Sequence, residues 1–175
     1  VATEKLHGTN FCFVYDGNTM ECGRREALLV EGEKFYGYPP VKERWSPNVI
    51  EMYNHLGCSS LNVYGELFGP GVQSGIYYSK EKNFYAYDIM VDGLYLDVDQ
   101  CEDLFEQFDL FYAKPLIKGT VTECFDYTNE FDSTIPALLG EEHVVDNICE
   151  GTVIRPNTAT FFPSGSRCIF KNKNP

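Results

Sequence analysis

The chain has 175 residues, 43% of them hydrophobic and 15% aromatic, with 26 acidic side chains against 14 Lys and Arg and a net charge of −12. That length suits one domain, or a domain with a small appendage, able to bury about 70% of its extended-chain surface. The composition excludes a disordered or collagen-like chain, no apolar run approaches the ~18 residues of a membrane span, and the acidity argues against a protein that holds nucleic acid by bulk charge.

From Asn10 to Tyr15, Phe11, Phe13 and Tyr15 alternate with Cys12 and Val14, a strand pattern. Asp16-Gly17-Asn18 turns the chain, and Met20 to Arg24 is a return strand. Ser46-Pro47 predicts an N-cap followed by Pro at the first helical position; Val49, Ile50, Tyr53 and Leu56 follow at helical spacing and Gly57 closes the helix. Leu61 to Phe68 reads as an apolar strand ending in glycine. Phe84 to Val91 reads as another, turned by Asp92-Gly93 into Leu94 to Leu96. Asp99 with Glu102 predicts a capping pair for a helix through Phe108, and a further helix follows Thr120. Gly151 to Arg155 and Arg167 to Lys171 are short terminal strands, with Pro163 to Gly165 as the turn between them. Strands dominate and helices punctuate without regular alternation, which favours an α+β fold with antiparallel sheets over a doubly wound one.

Charge is unevenly spread. Eleven acids lie between Asp92 and Asp132 against only Lys114 and Lys118, whereas the last nine residues hold Arg167, Lys171 and Lys173 and no acid. A local basic site is therefore compatible with the overall balance. Seven cysteines at wide, irregular spacing form no Cys-x-x-Cys pair, and only three histidines could join them, so a zinc site is not expected. They read as buried free thiols of an intracellular, reducing compartment. The chain opens at Val1 without an initiator Met or an apolar leader, as an excised segment would.

Five segments carry possible chemistry. Glu4-Lys5-Leu6-His7-Gly8-Thr9-Asn10 puts a lysine just before a Gly-containing turn that opens a strand; it lacks the Gly-x4-Gly-Lys-Ser/Thr spacing of a P-loop. Gly65-Glu66-Leu67-Phe68-Gly69 sets an acid between glycines at a strand end. Tyr85-Ala86-Tyr87-Asp88-Ile89 carries aromatics and an acid inside an apolar strand. Glu150-Gly151-Thr152-Val153-Ile154-Arg155-Pro156 repeats the acid-glycine-strand theme, and Lys171-Asn172-Lys173 puts two lysines on one side of an extended segment. Taken singly, each is more often a turn glycine, a core aromatic or an edge charge; coincidence does not account for all five in this order.

In this order the segments resemble the covalent nucleotidyltransferase superfamily of polynucleotide ligases and capping enzymes. The resemblance is strongest to the branch typified by T4 RNA ligase 2 and the kinetoplastid RNA-editing ligases. That branch has Lys-x-His-Gly-Thr-Asn where most of the superfamily has Lys-x-Asp-Gly. The likeness runs from Lys5 to Lys173 and includes Phe35-Tyr36-Gly37-Tyr38 and Gly69-Pro70-Gly71-Val72-Gln73. It implies an antiparallel-sheet-rich, ATP-grasp-like nucleotidyltransferase (adenylation) domain spanning residues 1–175.

The implied activity is that of an ATP-dependent RNA ligase, and the implied roles follow. Lys5 attacks the α-phosphorus of ATP to give lysyl-AMP and pyrophosphate, which requires its free amine. Lys171 and Lys173 supply positive field and neutralise the α-phosphate. Glu150 helps hold Mg2+ or Mn2+, in part through water. Tyr87 stacks on adenine, Val153 closes the other face, Glu66 takes the ribose hydroxyls and Glu4 sits beside the adenine edge. Asn10 lies near the α-phosphate and metal, and Arg25 at the nucleotide and RNA end. His7 acts in passing AMP to the RNA 5′-phosphate, after which a 3′-hydroxyl displaces AMP to seal a nicked duplex. No membrane association is implied.

Three departures accompany the match. Arg155, placed among the nucleotide-binding residues, stands where the motif often has Lys; Tyr85 and Tyr87 stand where Phe is common. The chain also begins four residues before Lys5 and ends two after Lys173, without the family's upstream strand and C-terminal RNA-binding domain. Self-adenylation with inefficient sealing is the expectation. A DNA ligase, a capping guanylyltransferase and a silent nucleotide- or RNA-end-binding module are the alternatives; His7 with Thr9-Asn10 counts against the first two.

Overall fold

A computed structural model describes residues 1–175. In chain order the elements are β1 (Ala2–Glu4), β2 (Thr9–Tyr15), β3 (Met20–Arg24), β4 (Ala27–Leu28), α1 (Pro39–Leu56), β5 (Leu61–Phe68) and β6 (Asn83–Val91). There follow β7 (Leu94–Tyr95), α2 (Val98–Gln107), β8 (Pro115–Ile117), α3 (Val121–Asp126), α4 (Ile135–Leu138), β9 (Gly151–Ile154) and β10 (Phe170–Lys173). The strands form two antiparallel sheets, one of six in the order β4-β3-β2-β5-β6-β7 and one of four in the order β10-β9-β1-β8. This is the expected α+β class. No helix is long and apolar enough to cross a membrane.

The six-stranded sheet is built by alternation. Phe11 and Phe13 point to one face of β2, where they meet Phe84 of β6 edge-on and pack under Trp45, Val49 and Met52 of α1. Asn10 and Glu66, a cross-strand pair of β2 and β5, project on the opposite face beside Tyr87. A register shift between Tyr64 and Gly65 leaves Tyr87 as an extra residue on β6, a bulge that bends β6 beside Glu66. Gly65 is required there: a Cβ on it would lie 2.2 Å from the Tyr85 carbonyl oxygen. A second cluster of Leu6, Phe68, Tyr78, Tyr85, Ala113 and Ile135 seals the seam between the sheets.

Several boundaries differ from the sequence reading. The first helix starts at Pro39-Pro40, not at Ser46-Pro47, so Pro47 lies inside it. Two prolines at the first helical positions start a helix as well as one does, and burying Val41 and Trp45 extends it. Ser46 does not cap; its Oγ donates to the Lys42 carbonyl at 2.6 Å. Gly57 closes the helix in the left-handed conformation, φ 60°, as expected.

The cap of α2 is Asp97 with Gln100, a reciprocal capping box, and not Asp99 with Glu102. The latter two both accept from Lys118, each at 2.9 Å. The last strand is Phe170–Lys173, shifted from the expected Arg167–Lys171 because Arg167 leaves the ladder to bridge Phe161. β1 and β8, three residues each, have no signal in the sequence.

Candidate nucleotidyl-transfer site

A cavity of about 160 Å³ opens between the two sheets. From the four-stranded sheet and the turn after it come Glu4, Lys5, Val153, Arg155 and Lys171; the six-stranded sheet contributes Asn10, Glu66 and Tyr87. Eight of the residues singled out from the sequence thus line one cavity, although they come from six different strands and the segments next to them.

Lys5 leaves the end of β1, where its backbone N–H donates to the Gly151 carbonyl at 2.9 Å. Its ammonium donates to Glu150 Oε2 at 2.5 Å, and the two side chains are only 14% and 23% exposed. Lys173 approaches the other oxygen of Glu150 at 3.9 Å from an exposed position. Gly151 makes this approach possible: at φ 134°, a Cβ there would sit 2.2 Å from the Asn172 carbonyl oxygen. Lys171 pairs across the ladder with Val153, so both reach the cavity from adjacent strands.

Burial pushes the Glu66 carboxyl up to about 7, Lys5 and Lys171 pull it down, and Glu150 adds to the upward push. Glu66 is therefore poised to be neutral or charged near pH 7. Burial likewise holds the Tyr87 hydroxyl well above the ordinary tyrosine range.

Glu4 is 2% exposed and both its oxygens are taken: Ser133 Oγ donates at 2.6 Å, Thr134 N–H at 2.8 Å and Thr134 Oγ1 at 2.6 Å. Its backbone carbonyl accepts from the Tyr85 hydroxyl at 3.0 Å. The His7 side chain is exposed and outside the cavity, while its backbone N–H donates to Tyr78 Oη at 2.8 Å. Arg25 is exposed and lines a neighbouring cavity of about 270 Å³, which shares Asn10, Tyr87 and Ile169 with the first.

The sequence reading gave no role to Asp88 or Arg167, although Asp88 stood out as an acid in an apolar strand. Asp88 is 3% exposed and pairs with Arg167 at 2.9 Å and Arg155 at 3.4 Å. Arg155 also donates to the Tyr87 carbonyl. The arginine at the motif position is thus engaged with the strand that carries Tyr87. Ser133, Thr134 and Tyr78, which hold the segment around Lys5, carry no local signal in the sequence.

No group of three or more His, Cys, Asp and Glu side chains could hold a metal unaided. Glu150 offers one partly exposed carboxylate beside Lys5. That donor set fits a hard divalent ion such as Mg2+ or Mn2+, which takes most of its ligands from water and substrate phosphates. A larger cavity, about 340 Å³, touches Cys124, Ile154 and Phe170, and the Asp99–Lys118 ion pair at its rim is already satisfied.

Known proteins resemble this chain in sequence and in fold. The family model for RNA ligase matches residues 1–173. The mitochondrial RNA-editing ligase 1 of Trypanosoma brucei brucei is 27% identical over 207 residues, covering 89% of this chain and 44% of that protein. The structure of Naegleria gruberi RNA ligase with PPi superposes with a TM-score of 0.70 at 19% identity, covering 98% of this chain and 48% of that one. A variant of the same ligase with ATP and Mn superposes equally well, TM-score 0.70 at 18% identity, over the same shares of both chains. The chain thus spans about half the length of these relatives, and its fold is the nucleotidyltransferase fold of the ligases.

Proposed function

The chain belongs to the RNA ligase family, and on that premise we propose that residues 1–175 are an adenylation domain that charges Lys5 with AMP from ATP. The observation that carries the reading is Lys5 on Glu150 at 2.5 Å, at the edge of a cavity that Glu66, Tyr87 and Lys171 also line. The free amine of Lys5 attacks the α-phosphorus, an N–P bond forms, and the bond to the β-phosphate oxygen breaks to release pyrophosphate. The proton that Lys5 sheds has an acceptor already in contact, Glu150 Oε2.

Lys171 and Lys173 meet the charge of the α-phosphate and leaving group, in a reaction where positioning and electrostatics supply most of the catalysis. Tyr87 and Val153 bound the adenine site and Glu66 faces the ribose, with Glu4, Asn10 and Arg155 in supporting positions. Glu150 is the residue that would hold a divalent ion, which supplies charge neutralisation at the phosphates. AMP then passes to the 5′-phosphate of an RNA strand near His7 and Arg25, and a 3′-hydroxyl displaces it. A nicked duplex in an intracellular, reducing setting is part of the same proposal. Structures of Naegleria gruberi RNA ligase variants with ATP and Mn and with AMP and Mn support this choice of nucleotide and ion.

The test is covalent labelling with ATP carrying label on the α-phosphate, after pyrophosphate treatment to clear resident AMP. Label on the wild type that vanishes in Lys5→Ala is the expected result. GTP or NAD replacing ATP as donor would redirect the reading to a capping enzyme or another ligase class. A folded chain that takes no label from any donor would make it a silent module.

A further inference from the structure

Half of the fourteen Lys and Arg side chains are in ion pairs; the unpaired ones are Arg25, Lys34, Lys42, Arg44, Lys80, Lys82 and Lys171. With 26 acids available, an unpaired cation is a placement that the charge balance does not impose. Three of the seven, Arg44, Lys80 and Lys82, line a single groove of about 430 Å³, away from the nucleotide cavity.

The groove lies between the start of α1 and the loop joining β5 to β6. It is shallow in side chains: Gly37 and Pro70 form parts of its wall. The Lys82 ammonium lies over bare backbone, about where it would meet a Cβ on Gly37 (3.3 Å) or Gly71 (3.7 Å). Arg44 stacks its guanidinium on Trp45 at 4.7 Å, which fixes its direction without using its donors on an acid. One acid, Glu81, shares the groove and makes no ion pair. Glu141, outside the groove lining, accepts from the Tyr77 hydroxyl at 2.5 Å and the Lys80 backbone N–H at 2.9 Å.

Position suggests the ligand. The Leu67 carbonyl lies against Gly8 of the nucleophile turn, where a Cβ would come within 2.4 Å of it. Pro70 is three residues further on, at most ~11 Å of chain. Tyr78, from the same β5–β6 loop, holds the His7 backbone. The groove therefore begins a short step along the surface from the place where, on the proposed function, an RNA 5′-end is activated. Unpaired cations gathered there suit the phosphates of a strand leaving the site, because backbone phosphates are what Lys and Arg neutralise in register-setting contacts.

We propose that the groove of Arg44, Lys80 and Lys82 is a phosphate-backbone site for the RNA strand engaged at Lys5. It rests on the proposed function for its choice of RNA, and it places the contact on this domain. An overall charge of −12 then acts in its favour: repulsion elsewhere on the surface confines RNA to the few tracks where cations stand unpaired.

The experiment compares Lys80→Ala/Lys82→Ala with the charge-matched Lys114→Ala/Lys118→Ala, using a 5′-phosphorylated RNA oligonucleotide across a salt series. Lys5 labelling is followed in the same samples. The groove variant should label as the wild type does, bind RNA about tenfold more weakly, and lose about 2 from the slope of log affinity against log salt. The control pair should change both far less. Glu81→Gln, a substitution at an exposed site, should tighten RNA binding.

Equal RNA affinity and slope in the groove and control variants, or no effect of Glu81→Gln, overturns the groove. A wild type that binds no RNA overturns it as well. A wild type that binds RNA through the groove but takes no label on Lys5 leaves the groove standing and removes the adenylation reading instead.

Discussion

Glu66 shows how one residue couples burial to pH. Its carboxyl is raised from 4.5 to about 7, first by burial, against the pull of Lys5 and Lys171. Between those values the folded chain holds a proton that the unfolded chain releases, so stability declines as pH rises from 4.5 towards 7 and is level above. The full span corresponds to roughly 3 kcal/mol. Glu66→Gln keeps the shape and cannot ionise. The difference in denaturant-derived stability between wild type and Glu66→Gln should therefore widen in favour of the variant from pH 5 to pH 8. A difference constant with pH would mean that Glu66 is charged throughout and that its lysine neighbours, not burial, set its state.

The elements follow the sequence where their pattern is long and miss it where it is short or shared. β2, β5 and β6 each run seven residues or more with an apolar face, enough alternation to be read directly. β1 is three residues, and what makes it a strand is its pairing with β9 and β8; no local pattern can report partners 112 and more residues away. The start of α1 is ambiguous in sequence because Ser46-Pro47 has the chemistry of a helix start and Pro39-Pro40 does too; burial of Val41 and Trp45 decides between them.

That outcome leaves a defect in the helix. Pro47 has no N–H, so the Glu43 carbonyl one turn back lacks its helical donor. Pro47 itself is exposed and contributes no core contact. Pro47→Ala should raise stability by about 1–3 kcal/mol, read as a higher denaturant midpoint at unchanged slope. An unchanged or lower midpoint would show that the proline is part of the helix's packing and not a leftover start signal.

At the scale of the molecule the question is what fixes two sheets at the separation the cavity needs. The eight cavity residues legible in the sequence each sit in a short motif. The device that holds their strands together was not legible, because it is a three-way contact among Asp88, Arg155 and Arg167, with sequence separations of 67, 79 and 12 residues. Asp88 belongs to β6 in the six-stranded sheet, whereas Arg155 follows β9 and Arg167 precedes β10 in the four-stranded one.

Arg167 is further held on the Tyr95 ring at 3.8 Å, also from the six-stranded sheet. The arginines are 11% and 15% exposed and the carboxylate 5%. Removing the acid alone therefore strands two cations in a poorly hydrated seam. Asp88→Ala should cost about 3–5 kcal/mol and loosen the cavity, since Arg155 also holds the Tyr87 carbonyl.

A buried cluster of this kind need not be a net source of stability, because desolvation offsets attraction. The triple replacement Asp88→Leu, Arg155→Met and Arg167→Met should accordingly recover much of the stability that Asp88→Ala loses. It should still charge Lys5 poorly, because Tyr87 loses its guanidinium partner. Chemical denaturation of the two variants, set beside their labelling with ATP, separates the contributions. If the triple variant proved as unstable as Asp88→Ala yet labelled like the wild type, the cluster would be a plain stabilising clamp with no part in aligning the nucleotide cavity.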